Sequence, residues 1–259
     1  MELMKKILVT SAKGGIGKST VALGLAAALA DAGHRTLLVD CDVGNRCIDL
    51  MLGLEDSVLY DFGDVAEDRC QPADVFLSPA GMNNLLFCAA PLSLPDDTDA
   101  VARHITALEQ LAEAAHADFI ICDTAGTGAI VRAIAASFAD GALVIATQQP
   151  ASIRAAERTA ALLTEIADLP CRLVISMFEE IAASDGIRAG LLEIIDRTHL
   201  RTIGVIPRDR TLLLAQETGS LPDKKSRAAR AFKNTARRLC GEDVPLFSGI
   251  KEIKTKKVL

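Results

Sequence analysis

Between Ser11 and Thr20 the chain reads Ser-Ala-Lys-Gly-Gly-Ile-Gly-Lys-Ser-Thr, a run whose residue types suit an anion. Gly14, Gly15 and Gly17, with Ile16 between them, let backbone N–H groups close around phosphate oxygens; Lys18 can reach the outermost phosphates, and the Ser19 hydroxyl can ligate a divalent cation, with Thr20 beside it. The generic phosphate-loop pattern G-x-x-x-x-G-K-[ST] would begin at position 12. Ala12 stands there instead, and a second lysine, Lys13, opens the loop. Lys13 is either a second cation for phosphate or an exposed loop residue.

Carboxylates follow at two further points. Asp40 and Asp42 lie in Leu38-Val39-Asp40-Cys41-Asp42-Val43-Gly44, and Asp123 ends the apolar run Phe119-Ile120-Ile121-Cys122. An Asp at the end of a buried strand, next to a phosphate loop, can hold Mg²⁺ through its water shell. Helix capping or turn formation is the common explanation for a pair such as Asp40 and Asp42, and capping of the next helix is the alternative for Asp123.

These groups need a scaffold that brings three loops together. Apolar runs at Ile7–Thr10, Thr36–Asp40, Leu85–Cys88, Phe119–Asp123, Ala142–Thr147, Arg172–Met177 and Ile203–Ile206 read as strands buried on both faces. Helical patterns fall at about 18–32, 97–116, 127–138, 151–167, 187–197 and 225–240. Alternation of this kind predicts an α/β fold, a mainly parallel twisted sheet with helices on both faces, and ligands at the C-terminal ends of the strands. With no linker or repeat dividing the chain, one domain is expected over 1–241 and a tail over 242–259.

Composition narrows the function. The 259 residues include eight Phe, one Tyr and no Trp, too little aromatic surface for base-stacking platforms or sugar clamps. No apolar stretch approaches the ~20 residues of a membrane span. The start lacks a cleavage site, so a cytoplasmic protein is expected. The seven cysteines show no paired-ligand spacing and read as reduced thiols, which counts against a metallocluster role. Net charge is −6 overall, but residues 222–259 carry 11 basic and 4 acidic side chains. An acidic body therefore ends in a basic segment.

The loop K-G-G-x-G-K-[ST] resembles the deviant Walker A motif of the MinD/ParA family of ATPases. Asp42-Val43-Gly44, Val58-Leu59-Tyr60-Asp61-Phe62, Ser152-Ile153-Arg154 and Gly204-Val205-Ile206-Pro207 resemble segments of its MinD branch, in matching order. The resemblance implies a three-layer P-loop NTPase fold and a homodimer bridged by two ATP molecules. Lys13 of each subunit would reach phosphates held by the other, Asp42 would orient the attacking water, and Ser19, Asp40 and Asp123 would serve Mg²⁺, the aspartates through water. Asp123-Thr124-Ala125-Gly126 resembles the switch II D-[ST]-P-A-G, with Ala125 replacing Pro, and Gly126 and Gly128 would let that loop move. Since no strong general base stands out, hydrolysis is expected to be slow. Two departures stand out: Cys47 where the family usually has Asn, and Ser176-Met177-Phe178 where it often has a base-contacting Asn or Arg. Base contacts are then expected from Pro207, Arg208 and Asp209.

The family also implies septum positioning through reversible membrane association and an activating partner of the MinE or MinC kind. Leu246, Phe247, Ile250 and Ile253 fall on one helical stripe beside Lys251, Lys254, Lys256 and Lys257, which suits an anionic membrane surface on the inner face of the cell membrane; Gly249 and Glu252 interrupt it, and a solvated basic end is the alternative. DNA is the other partner weighed, through Arg227, Arg230, Lys233, Arg237 and Arg238 on the preceding helix, as in a ParA-type segregation ATPase.

Overall fold

Seven apolar runs form strands: β1 (Lys6–Thr10), β2 (Thr36–Asp40), β3 (Leu85–Cys88), β4 (Phe119–Asp123), β5 (Gly141–Ala146), β6 (Cys171–Phe178) and β7 (Thr202–Pro207). The computed structural model describes residues 5–93 and 99–250. The strands make one sheet in the order β3-β2-β4-β1-β5-β6-β7, and every pairing is parallel. Every residue of β2, β4 and β5 is buried, as a sheet covered on both faces requires.

Ten helices accompany it among the described residues: α1 (Lys18–Asp31), α2 (Ile48–Leu52), α3 (Phe62–Ala66), α4 (Ala100–Ala115), α5 (Ala129–Ser137), α6 (Pro150–Ala167), α7 (Glu180–Ser184), α8 (Leu191–Thr198), α9 (Arg210–Glu217) and α10 (Arg227–Leu239). Helices α3, α4, α5, α6 and α8 contribute to the apolar core on one face of the sheet, and α1, α2, α9 and α10 to that on the other. Helix α1 is apolar on most sides because it lies between the sheet and α10. The start of the helix read at 97–116 includes 97 and 98, outside the described residues; the described part runs from Ala100. The segment read as a helix from 187 begins only at Leu191, after Gly190. Short helices α2, α3, α7 and α9 were not expected; α3 is held by a reciprocal capping box between Asp61 and Asp64.

The chain after α10 does not leave the body at residue 242. Val244 is buried, Leu246 and Phe247 pack on one core, and Ile250, 6% exposed, belongs to the other. Arg238 fixes this strap by donating to the carbonyls of Val244, Pro245 and Ile203; Asn234 donates to Ser248 O at 2.7 Å and Arg230 to Gly249 O at 3.1 Å. The helical stripe expected through 246–250 is therefore corrected: Leu246 to Gly249 form a turn, closed by Gly249 at φ +69°. Ile253 and the four lysines of that stripe lie outside the described residues.

Candidate functional site

β1 occupies the middle of the sheet and delivers the Ser11–Thr20 loop to the C-terminal edge, where β4 and β2 deliver their aspartates. Gly17 caps α1 at φ +85°, so the first N–H groups of α1 point at the loop, where they and the helix dipole favour an anion. Ala12 N–H is held by Thr159 Oγ1 at 3.0 Å and Lys13 N–H reaches Ser11 Oγ at 3.4 Å. Lys13, Lys18, Ser19 and Thr20 are all half-buried along the loop.

Asp40 and Asp123 are direct register partners on β2 and β4, so their carboxyls end adjacent strands. Asp40 is wholly buried and organises the loop that follows it: it accepts N–H bonds from Asp42 at 2.9 Å, Cys47 at 3.2 Å and Ile48 at 3.3 Å. Burial nevertheless pushes its pKa up to about 6. Asp123 differs, since both of its oxygens are buried without a hydrogen bond of normal geometry. Burial drives its pKa up to about 7, with Asp40 adding to the rise and Ser19 and Lys18 drawing it down. Asp42 Oδ1 is likewise buried and unpartnered, and burial raises that carboxyl too. Orphaned carboxylate oxygens beside a hydroxyl and a lysine are a donor set for a hard divalent cation. The sequence alone left open whether these aspartates were caps: Asp40 does take the first N–H of α2, from Ile48, across the loop, whereas α5, the helix after Asp123, has no side-chain cap.

The loops are also tied to each other. Thr10 Oγ1 donates to Gly126 O at 2.6 Å and Thr124 Oγ1 to Val9 O at 2.9 Å, docking the loop after β4 on the phosphate loop. Arg46 pairs with the buried Asp49 at 2.7 Å. Cys47 lies among the site groups: burial pushes its thiol up to about 11, Ser19 opposes the shift, and Asp40, Asp123 and Asp42 reinforce it. A thiol so surrounded stays protonated.

Beside Thr20 opens a cavity of about 670 Å³ between the ends of β6 and β7, α9 and the start of α10. Pro207, Arg208 and Asp209 line it, together with Phe178, Leu212 and Gln216. Two of the three expected base contacts have other partners: Arg208 pairs with Glu179 at 2.5 Å, and Asp209 caps α9 through Thr211 and accepts Ala228 N–H at 2.9 Å. A register shift between Ile175 and Phe178, with Met177 at φ +52°, brings Ser176 against Gly17. Gln216 and Glu179 line the same cavity and were not singled out in the sequence; nothing there links them to a loop so much earlier in the chain.

A glycine-rich loop between the central strand and a helix, with strand-ending aspartates alongside, defines a P-loop NTPase. The ParA family model, described as NUBPL iron-transfer P-loop NTPase, matches residues 2–240. The septum site-determining protein MinD of Bacillus subtilis is 32% identical over 243 residues, 93% of this chain and 90% of that protein. Among solved structures, the MinC:MinD cell division protein complex of Aquifex aeolicus superposes with a TM-score of 0.85 at 30% identity, covering 93% of this chain and 98% of that one. Pyrococcus horikoshii MinD complexed with Mg-ADP has the same fold, with a TM-score of 0.74 at 22% identity, covering 91% of this chain and 95% of that one. The chain belongs to the ParA/MinD family of P-loop NTPases.

Proposed function

We propose that this chain is a MinD-like switch in which ATP drives dimerisation, the dimer binds a membrane surface and a MinC-like or MinE-like partner, and slow hydrolysis releases it, placing the division septum. The observation that carries the reading is the unpartnered pair of Asp123 oxygens beside Ser19 and Lys18. The MinD relatives, of which this chain covers nearly the whole length, support the septum role, and the MinC:MinD structure supports a MinC-like partner.

Each residue then has a role. The loop N–H groups and Lys18 bind the β- and γ-phosphates; Lys13 reaches across to the partner subunit's nucleotide; Asp42 orients water; Ser19 and Asp123, with Asp40 behind them, hold Mg²⁺. That ion supplies charge neutralisation on the phosphates when bound. Asp40 keeps the Asp42 loop in place through its three N–H bonds. With no strong base in reach, catalysis rests on positioning and charge, which suits a slow switch.

DNA is the weaker partner. Four arginines of α10 are spent within the molecule: Arg227 on Glu180, Arg230 on Gly249 O, Arg237 on Glu242 and Arg238 on three carbonyls. The test is co-sedimentation with anionic phospholipid vesicles in ATP and in ADP. Pelleting only with ATP is the expected result; ATP-dependent capture on non-specific DNA without pelleting would replace the reading with a segregation ATPase.

A further inference from the structure

The phosphate loop is tethered at its front and open behind. Thr159, on the third turn of α6 and 1% exposed, accepts Ala12 N–H on its Oγ1 at 3.0 Å and donates its hydroxyl proton to Ala155 O at 2.8 Å. Because that proton is committed to its own helix, the oxygen can only accept from the loop. Lys13 N–H reaches Ser11 Oγ, and Ser11 in turn bridges Gly126. Both N–H groups ahead of the glycines are therefore spent on protein rather than on phosphate. In the glycine half, by contrast, a Cβ on Gly14 or Gly15 would meet nothing within 4 Å. Ala12 also stands where the generic pattern keeps glycine, and it does so without a positive φ, so a residue of narrower backbone freedom fits the held conformation. Lys13 thus starts from a fixed peptide, and its side chain is the part left for a ligand.

We propose that Thr159 is a positioning residue for Lys13: by holding the Ser11–Ala12 peptide from α6, it fixes where the Lys13 side chain begins, so that the ammonium can reach the nucleotide of a second subunit. The assignment rests on the role across the dimer proposed above for Lys13. A long, flexible side chain costs entropy to order, and a backbone fixed beforehand reduces what dimer formation must still order. Phosphate contacts within one subunit come from residues beyond the tether. Losing the tether therefore weakens dimer formation more than nucleotide binding by a single subunit.

The experiment compares the full wild-type chain with Thr159→Val, which keeps the shape but removes the acceptor, and Thr159→Ser, which restores it, all with Mg²⁺ present. Calorimetry with ADP measures nucleotide binding by one subunit, and sedimentation velocity in ATP over a range of protein concentrations measures dimerisation. Thr159→Val should bind ADP within about threefold of wild type and dimerise at least about tenfold more weakly, the scale of one buried N–H left unpaired. Thr159→Ser should match wild type in both. Exchange of the Ala12 amide, followed by NMR, reports the tether itself and should quicken in Thr159→Val but not in Thr159→Ser. Circular dichroism melts establish that the variants fold, and Thr159→Ala, which removes the acceptor without a branched replacement, should repeat the result. Dimerisation of wild-type strength in Thr159→Val and Thr159→Ala, an equal loss of ADP binding and dimerisation, or unchanged Ala12 exchange overturns the assignment while leaving the nucleotide site intact. A wild-type chain that binds ADP yet stays monomeric in ATP overturns the dimer reading itself, and the assignment with it.

Discussion

Asp40 and Asp123 face each other across the β2–β4 pairing as register partners, yet one is saturated with backbone N–H bonds and the other has none. Two buried carboxyls side by side cannot both ionise cheaply, so the molecule stores a cost at the point where a cation would relieve it.

That cost has a sign. The folded pKa of Asp123, about 7, lies above its unfolded value of 3.8, so the folded state binds a proton that the unfolded state releases, and the chain loses stability as pH rises from about 4 to about 7. At ~1.4 kcal/mol per unit, the full loss from this group is on the order of 4 kcal/mol. Asp123→Asn should therefore melt higher than wild type in the absence of ligand, with the gap widening from pH 4 to pH 7.5 and then levelling. Adding Mg²⁺ and ATP should raise the wild-type midpoint more than the variant's. Thermal melts across pH check both; a pH-independent gap contradicts the assignment of cost to Asp123.

Lys13 and Lys18 should separate into two phenotypes. Lys18→Ala should weaken ATP binding by at least about 30-fold, since truncating one partner of a desolvated charged pair costs upwards of ~2 kcal/mol. Lys13→Ala should bind ATP within a few-fold of wild type and yet stay monomeric. Light scattering after gel filtration in ATP gives the answer, and a Lys13→Ala dimer that responds normally to its partner would falsify the trans role.

Gly53 and Gly219 end α2 and α9 back to back, both with positive φ. A Cβ on Gly219 would fall 2.7 Å from Gly53 Cα and 2.9 Å from its N, where only backbone could yield. Gly219→Ala should cost about 2 kcal/mol or more, from left-handed strain and from the collision. A urea titration measures it, and an unchanged midpoint would mean that α2 and α9 separate at little cost. Since α2 follows the Asp42 loop and α9 borders the cavity beside Thr20, the same variant should weaken ATP binding as well.

The strap sets where a truncation is harmless. A chain ending at Ile250 should keep its melting temperature and lose any vesicle binding that the last nine residues confer. A chain ending at Val244 also removes the buried Ile250 and the half-buried Phe247, and full burial of one side chain this size stabilises by ~1.5–3 kcal/mol. It should melt markedly lower. Equal melts for the two would show that the strap contributes no stability.

Strands buried on both faces were legible because nothing polar interrupts them: β2, β3 and β4 run over the same residues as the apolar stretches that predict them. Five-residue helices such as α2 and α7 are too short for a 3.6-residue period to register. The phosphate loop could be read because its chemistry is contiguous. The Thr20–Gln216 contact could not, because it arises only when α9 folds over the loop. The stripe of Leu246, Phe247 and Ile250 misled for the opposite reason: apolar spacing marks a surface that must be covered, and the body covers it here.

The strap and Arg238 also bear on a hazard that parallel sheets carry. β7 is an outer strand, and Arg238 occupies its Ile203 carbonyl while the strap passes from one core to the other on that side. At the opposite margin, Leu77 exchanges both backbone bonds with Phe87 of β3. Outer strands with unsatisfied backbone are templates for intermolecular pairing. With Ile203 O engaged at one margin and Phe87 paired at the other, both outer strands offer less free backbone for pairing with the sheet of another copy.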